Sequence, residues 1–88
     1  MTYAQAVKTV QVQESNIRRV NGIRFEHNGY EYRLTWRGGF AAYVAIDRRK
    51  VGKRNFEYFS GVGAYNCWTV GGVLKLVQEA IEKKEASK

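Results

Sequence analysis

The sequence predicts an α+β fold, an antiparallel meander of three to five strands with one carboxy-terminal helix packed on one face. Short segments rich in β-branched and aromatic residues are separated by the turn-forming pairs Asn21-Gly22, Asn28-Gly29 and Gly38-Gly39. The carboxy-terminal part instead has apolar residues at three- and four-residue spacing, which is one face of a helix. A helix with one apolar face needs a sheet to cover it.

Turn signals delimit the expected strands. Asn-Gly pairs favour hairpins because both residues tolerate positive φ. A further edge strand is expected at residues 9–13, which alternate polar and apolar types, whereas residues 17–20 fit no single element. The four main strand segments are residues 23–27, 30–36, 40–46 and 54–60.

The predicted helix begins after Thr69, whose hydroxyl suits an N-cap. Gly71 and Gly72 weaken its first turn by roughly 1 kcal/mol each relative to alanine. Lys83 and Lys84 suit the negative end of the helix dipole. Its apolar face consists of Val70, Val73, Leu74, Val77, Ala80 and Ile81.

Strand register decides which side chains share a face. A three-residue loop at residues 37–39, with a glycine in the left-handed conformation, would place Leu34 opposite Ala42 and Tyr32 opposite Val44. A two-residue Asn28-Gly29 turn would likewise place Phe25 opposite Tyr32 and Ile23 opposite Leu34. The resulting core face is Ile23, Phe25, Tyr32, Leu34, Trp36, Ala42, Val44, Ile46, Phe56 and Tyr58.

The opposite side of the sheet, here called the free face, is expected to carry arginines and aromatic residues. Glu26, Glu31 and Glu57 are expected there too, and they allow a plainer interpretation: a solvated face with cross-strand pairs of Arg24 or Arg33 with Glu31. The remaining members are Arg24, Arg33, Thr35, Tyr43 and Phe59, with Arg37 at the rim and Ala41 and Ala45 between them.

Length and composition predict a single domain over residues 1–88, with residues 1–8 and 84–88 as candidates for disorder. The amino terminus has no signal-peptide pattern, and residues 70–81 are too short and too polar for a membrane span. Cys67 is the only cysteine, so no internal disulfide forms. A cytoplasmic protein without membrane association is therefore expected.

Charge indicates the class of partner. Fifteen Lys and Arg residues against eight Asp and Glu residues give a net charge of +7, which attracts polyanions. The densest basic run, residues 48–54, is expected in a hairpin connection, where it would pair with phosphates; a solvated turn is the alternative. Nucleic acid, DNA in preference to RNA, is the expected partner. The candidate binding residues are Arg24, Arg33, Arg37, Tyr43, Arg48, Arg49, Lys50, Lys53, Arg54 and Phe59.

Catalytic signatures are missing from the sequence. His27 is the only histidine and Asp47 the only aspartate, so neither a zinc site nor an acid–base pair is evident. Cys67 has no neighbouring base, and residues 61–63 lack the lysine of a phosphate-binding loop. No enzymatic activity, metal or cofactor is expected. Tyr65 and Trp68 are expected to cap the core.

The residue order over 32–59 resembles that of the amino-terminal arm-binding domains of phage integrases. The matching segments are Tyr-Arg-Leu-Thr-Trp-Arg-Gly-Gly (32–39), Phe-Ala-Ala-Tyr-Val-Ala-Ile (40–46), a basic turn, Phe-Glu-Tyr-Phe (56–59) and a helix. The resemblance covers about half the chain. It implies a sheet inserted in the DNA major groove, with Arg33, Thr35, Arg37 and Tyr43 facing the DNA. The topology also resembles the coactivator-type single-strand-binding fold, which implies a helix-mediated homodimer.

A different class of function fits the same composition. Small sheet-plus-helix proteins resemble phage-encoded inhibitors such as anti-CRISPR proteins, or adaptors, which bind a protein or ribonucleoprotein through edge strands and aromatic patches. Binding to generic nucleic acid that weakens steeply with salt would favour the first interpretation; one tight protein partner would favour the second. Reversing the charge of Arg48, Arg49, Lys50 and Lys53 is expected to abolish polyanion binding without unfolding the protein.

Overall fold

The computed structural model describes residues 2–9, 16–38, 42–63 and 69–86. Four strands of the described residues form one antiparallel sheet in chain order, and the carboxy-terminal helix packs on one face, which confirms the predicted α+β meander. The elements are α1 (Tyr3–Thr9), a 3-10 helix (Ile17–Val20), β1 (Arg24–His27), β2 (Tyr30–Arg37), β3 (Tyr43–Lys50), β4 (Glu57–Gly63) and α2 (Val70–Ala86).

The β1–β2 hairpin has the predicted register. Asn28 and Gly29 both adopt positive φ, 52° and 80°, which is the geometry that an Asn-Gly pair favours in a two-residue turn. Phe25 consequently lies opposite Tyr32, and their rings stack with centroids 5.4 Å apart on the core face.

The Asn21-Gly22 pair forms a turn as predicted, but the turn does not join two strands as a hairpin would. The 3-10 helix precedes it, and the side chain of Asn16 caps that helix by accepting a hydrogen bond from Arg18 N at 3.2 Å. Asn21 Oδ1 then accepts a hydrogen bond from Trp36 N at 3.0 Å. The turn therefore fixes the entry to β1 against the end of β2.

The β2–β3 pairing differs from the predicted register. Leu34 lies opposite Ile46, and Trp36 opposite Val44, so each partner is four positions further along β3 than expected. An even shift keeps every side chain on its expected face, because side chains alternate with a period of two. The connection is longer than expected, residues 38–42 in place of 37–39, because β2 continues to Arg37 and β3 begins at Tyr43. Residues 39–41 of the connection, including Gly39 and Phe40, lie outside the described residues.

A β-bulge in β4 reverses the expected faces of three aromatic residues. Ile46 pairs with Ser60 but Asp47 pairs with Tyr58, so Phe59 is an extra residue in β4. Phe59 is 6% exposed and belongs to the core, whereas Tyr58 is 66% exposed. The ring of Phe56 lies among arginines of the free face. The prediction that Phe56 and Tyr58 are core residues and Phe59 a surface residue is wrong.

The core lies between α2 and the sheet. Thr69 Oγ1 accepts a hydrogen bond from Gly72 N at 3.1 Å, which confirms the predicted N-cap. Ile23 and Trp36 are partly buried against the core. The buried apolar side chains of α2 are Val70, Val73, Leu74, Val77 and Ile81, and those that the sheet contributes to this core are Phe25, Tyr32, Leu34, Val44, Ile46 and Phe59.

The helix α1 is an element that no periodic pattern predicts. Its Tyr3 hydroxyl donates a hydrogen bond to Leu74 O at 2.7 Å, and its ring meets Phe25 edge to face. These contacts tie α1 to both α2 and the sheet. The edge strand expected at residues 9–13 is contradicted at Thr9, which ends α1, and residues 10–13 lie outside the described residues, as do Tyr65, Cys67 and Trp68.

Neither α1 nor α2 combines the length and the apolar composition that crossing a membrane requires, within the ranges that the structure describes.

Candidate nucleic-acid interface

The main concave basic surface lies at the end of the β3–β4 hairpin and is called the hairpin groove. Its volume is about 420 Å³, and Tyr30, Asn55 and Glu57 line it together with basic side chains. Gly52 adopts a φ of +94° in the turn, and Lys53 N donates to Lys50 O at 2.9 Å. The basic side chains that line the groove are Arg48, Arg49, Lys50, Lys53 and Arg54.

The groove has a large excess of positive charge. Glu57 is the one carboxylate among its lining residues, against five cationic side chains. Lys50, Lys53 and Arg54 are exposed. Among the described residues, no carboxylate lies within ion-pair distance of these three or of Arg48. Four cationic groups therefore keep their capacity to bind an external anion.

The predicted basic loop is only partly a loop. Arg48, Arg49 and Lys50 form the last residues of β3, and only Lys53 and Arg54 follow the turn. The reason is the shifted register between β2 and β3, which places Arg48 opposite Tyr32 and Lys50 opposite Tyr30. Strand alternation then directs Arg48 and Arg49 to opposite faces of the sheet.

Arg48 lies on the helix side of the sheet, held between two aromatic rings. Its guanidinium carbon is 4.1 Å from the ring centre of Tyr30 and 4.3 Å from that of Phe59. Burial raises the pKa of the Tyr32 hydroxyl, and the nearby Arg48 charge opposes that shift. Reversing the charge of Arg48 would remove these contacts, so we expect a charge reversal at this position to lower the stability of the fold.

Three arginines surround Phe56 on the free face. The guanidinium carbons of Arg33, Arg49 and Arg24 lie 4.3, 4.4 and 5.1 Å from its ring centre. Cation–π contacts of this kind contribute about 0.5–1 kcal/mol each at exposed sites. They fasten the segment before β4 to the free face.

Carboxylates neutralise the same arginines. Arg24 and Arg49 both pair with Glu31, at 2.6 and 3.2 Å, and Arg33 pairs with Asp47 at 3.3 Å. The Arg24–Glu31 pair is one that the sequence allowed as the plainer interpretation of this face. Three of the predicted site residues thus form ion pairs within the protein. Arg49 also donates a hydrogen bond to Arg54 O and lines the hairpin groove, so it links this cluster to the groove.

Glu31 gives this cluster a pH dependence. Burial pushes its pKa up, but hydrogen bonds and Coulomb attraction from Arg49 and Arg24 outweigh burial, and its pKa lies below the ordinary value of 4.5. Because the pKa is lower in the folded state, ionised Glu31 stabilises the fold at pH values above its ordinary pKa. This contribution to stability is lost as the pH falls through the folded-state pKa.

We therefore expect Glu31→Gln to be less stable than the wild type at neutral pH, with the difference shrinking as the pH falls below 4.5. Urea denaturation monitored by circular dichroism across this range measures the difference. A gap between the two proteins that stays constant down to the acid limit would show that the Glu31 charge does not stabilise the fold.

The other predicted site residues lie apart from the groove. Arg37 is exposed at the end of β2, opposite Tyr43, which is 38% exposed on the free face. Phe59 is buried, and its ring packs edge to face against Tyr32 at 5.6 Å. It supports Arg48 from within the core and has no free-face surface, because the bulge turns it inward.

Two residues of this region were missing from the predicted site. Tyr58 is the most exposed large apolar side chain among the described residues, and Tyr30 lines the hairpin groove. Strict strand alternation places both on the core side. Only the bulge moves Tyr58 to the free face, and no sequence signal marks that bulge.

Chemistry-bearing residues elsewhere are dispersed. Within the described residues, no three His, Cys, Asp or Glu side chains come together as a possible metal site. His27 Nε2 lies 3.4 Å from a carboxylate oxygen of Glu85 and 3.2 Å from the side-chain amide of Asn28. His27 thus joins the β1–β2 turn to the end of α2.

Comparison of the chain with protein-family models, with curated proteins and with solved structures finds no match. The resemblance to integrase arm-binding domains therefore stays a prediction from residue order.

Proposed function

We propose that the protein binds nucleic acid, with the phosphate backbone seated in the hairpin groove. One observation carries the proposal: four cationic side chains of the groove have no carboxylate partner among the described residues. Phosphates attract Lys and Arg strongly, and the release of condensed counterions adds to the affinity. The four are Arg48, Lys50, Lys53 and Arg54.

In this proposal two kinds of cationic side chain bind the phosphates in different ways. Arg48 is held between rings, so its fork of N–H groups is already oriented and loses little side-chain entropy on binding a phosphate. Lys50 and Lys53 are exposed and adapt to the path of the backbone. The arginines around Phe56 are paired with carboxylates and act as the support of the groove.

A protein partner is the second candidate. The observation that favours it is the edge position of β4, which pairs only with β3 in the described part of the chain. An inhibitor or adaptor could use that edge to pair with an extended segment of its target. One carbonyl group of β4 is already engaged, since Phe59 O accepts a hydrogen bond from Lys84.

Titrating the isotope-labelled protein with a short DNA oligonucleotide at low salt, followed by amide NMR, tests the proposal. Shift changes are expected to cluster at Tyr30 and residues 48–55. The exposed face of α2, marked by Lys75 and Glu79, is expected to stay unchanged.

Oligonucleotides of DNA and RNA, single-stranded and duplex, are compared in the same way. Spectra that none of them alters would refute the proposal and leave the protein-partner candidate. Shift changes confined to α2 would place the interface on the wrong side of the molecule.

A further inference from the structure

Two exposed tyrosines lie along the free face beside the hairpin groove. A Cβ atom at position 61 would lie 3.1 Å from Tyr58 Oη and 3.2 Å from Tyr43 Cδ2, so both side chains reach over Gly61. Tyr58 belongs to the same strand as Gly61 and is three residues away, so its side chain lies along the sheet instead of standing upright. We call this surface the tyrosine platform: Tyr43, Tyr58 and Gly61.

The platform is exposed although its rings are aromatic. Tyr58 is 66% exposed and Tyr43 38%, and every other aromatic side chain among the described residues is less exposed than these two. Guanidinium groups lie against the rings of Tyr30, Phe56 and Phe59. The platform therefore offers aromatic faces that no cation of the described chain covers.

The surroundings of the platform match a nucleic-acid strand. Tyr58 directly follows Glu57, which lines the hairpin groove, and Tyr43 lies opposite the exposed Arg37. The distance along β4 from Tyr58 to the end of the strand is about 17 Å at the usual rise per residue. The exposed cation Arg37 thus lies at one end of the aromatic surface and the basic hairpin groove lies next to the other end, where the Asp47 carboxylate opposite Tyr58 is paired with Arg33. That order suits a strand whose phosphates lie at the ends and whose bases lie between them.

We infer that the nucleic acid is single-stranded and that its bases stack on Tyr58 and Tyr43. This inference rests on the proposed function. In a duplex the base faces are stacked on one another, so an aromatic platform can engage only bases that are free of such stacking. Stacking on a ring tolerates any base, so the preference is for strandedness and not for sequence.

The test compares affinities for a mixed-sequence DNA single strand and its duplex by fluorescence anisotropy. The wild type is expected to bind the single strand at least about 10-fold more tightly. Tyr58→Ala is expected to weaken single-strand binding about 10-fold and to leave duplex binding unchanged, while Tyr58→Phe keeps the wild-type affinity because the ring is retained. Circular dichroism checks that each variant is folded, as expected for a side chain that is 66% exposed.

Four outcomes would overturn the inference. These are equal affinity for both forms, unchanged single-strand affinity in Tyr58→Ala, equal losses in Tyr58→Ala and Tyr58→Phe, and a duplex affinity that falls with the single-strand affinity. In each case, binding that still depends on Lys50 and Lys53 leaves the proposed function standing. Binding of neither form would instead refute the proposed function.

Discussion

The triple variant Lys50→Glu, Lys53→Glu, Arg54→Glu is expected to bind nucleic acid about 100-fold more weakly than the wild type at low salt. Each substitution removes an exposed cation that has no carboxylate partner among the described residues and places a negative charge beside the phosphates. Folding should be preserved, because all three side chains are exposed. Anisotropy measures the affinity, and circular dichroism the fold.

A matched control separates the groove from net charge. Lys8→Glu, Arg19→Glu, Lys75→Glu changes the same residue types and the same total charge at exposed positions on α1, the 3-10 helix and α2. At about 0.1 M salt, where the Debye length is about 10 Å, we expect its affinity to stay within about 3-fold of the wild type, and the groove variant to lose far more at the same salt. Equal losses in both triple variants would mean that overall charge, and not the hairpin groove, drives binding.

Phe59→Ala is expected to destabilise the protein by about 3–5 kcal/mol, because it empties a core position. A chain of this size has about 4–13 kcal/mol of stability in total, so the variant loses a large part of it. Phe56→Ala should cost only about 1–2 kcal/mol, since its ring is partly buried and held by cation–π contacts.

Urea denaturation of both variants tests the bulge in β4. Strict alternation along β4 would put Phe56 in the core and Phe59 on the surface, and it predicts the opposite order of stability losses. A larger loss for Phe56→Ala than for Phe59→Ala would therefore show that β4 has no bulge at this position.

Elements that local residue patterns control could be predicted from the sequence. The α2 face, its Thr69 cap and the Asn28-Gly29 turn depend on contacts within a few residues, and the structure confirms them. The face of Arg33 and Tyr43 opposite α2 also followed from alternation, since each lies next to a buried core residue in its strand.

Pairing between strands that are joined by longer connections could not be predicted. The β2–β3 register is free to slip by an even number of residues without moving any side chain to the wrong face, and it slipped by four. The bulge at Phe59 inverts the faces of the residues that precede it, Phe56 and Tyr58, and Asp47 lies opposite Arg33 because of the shifted β2–β3 register. The basic run was predicted, but its division between a strand and a turn was not.

Pairing with carboxylates distinguishes two groups of cationic side chains on the sheet and its hairpin. Glu31 and Asp47 hold Arg24, Arg33 and Arg49 on the free face, where these residues clamp Phe56. The cations at the end of the hairpin have no such partner in the described part of the chain. In the proposed function, the first group shapes the support and the second binds the phosphates.

The salt dependence of binding tests this division most directly. Each phosphate contact contributes about −0.7 to the slope of log affinity against log salt for a single strand, so three fewer contacts should make the slope shallower by about 2. We predict that difference between the wild type and the variant Lys50→Glu, Lys53→Glu, Arg54→Glu. Identical slopes for the two proteins would contradict the assignment of the phosphates to the hairpin groove.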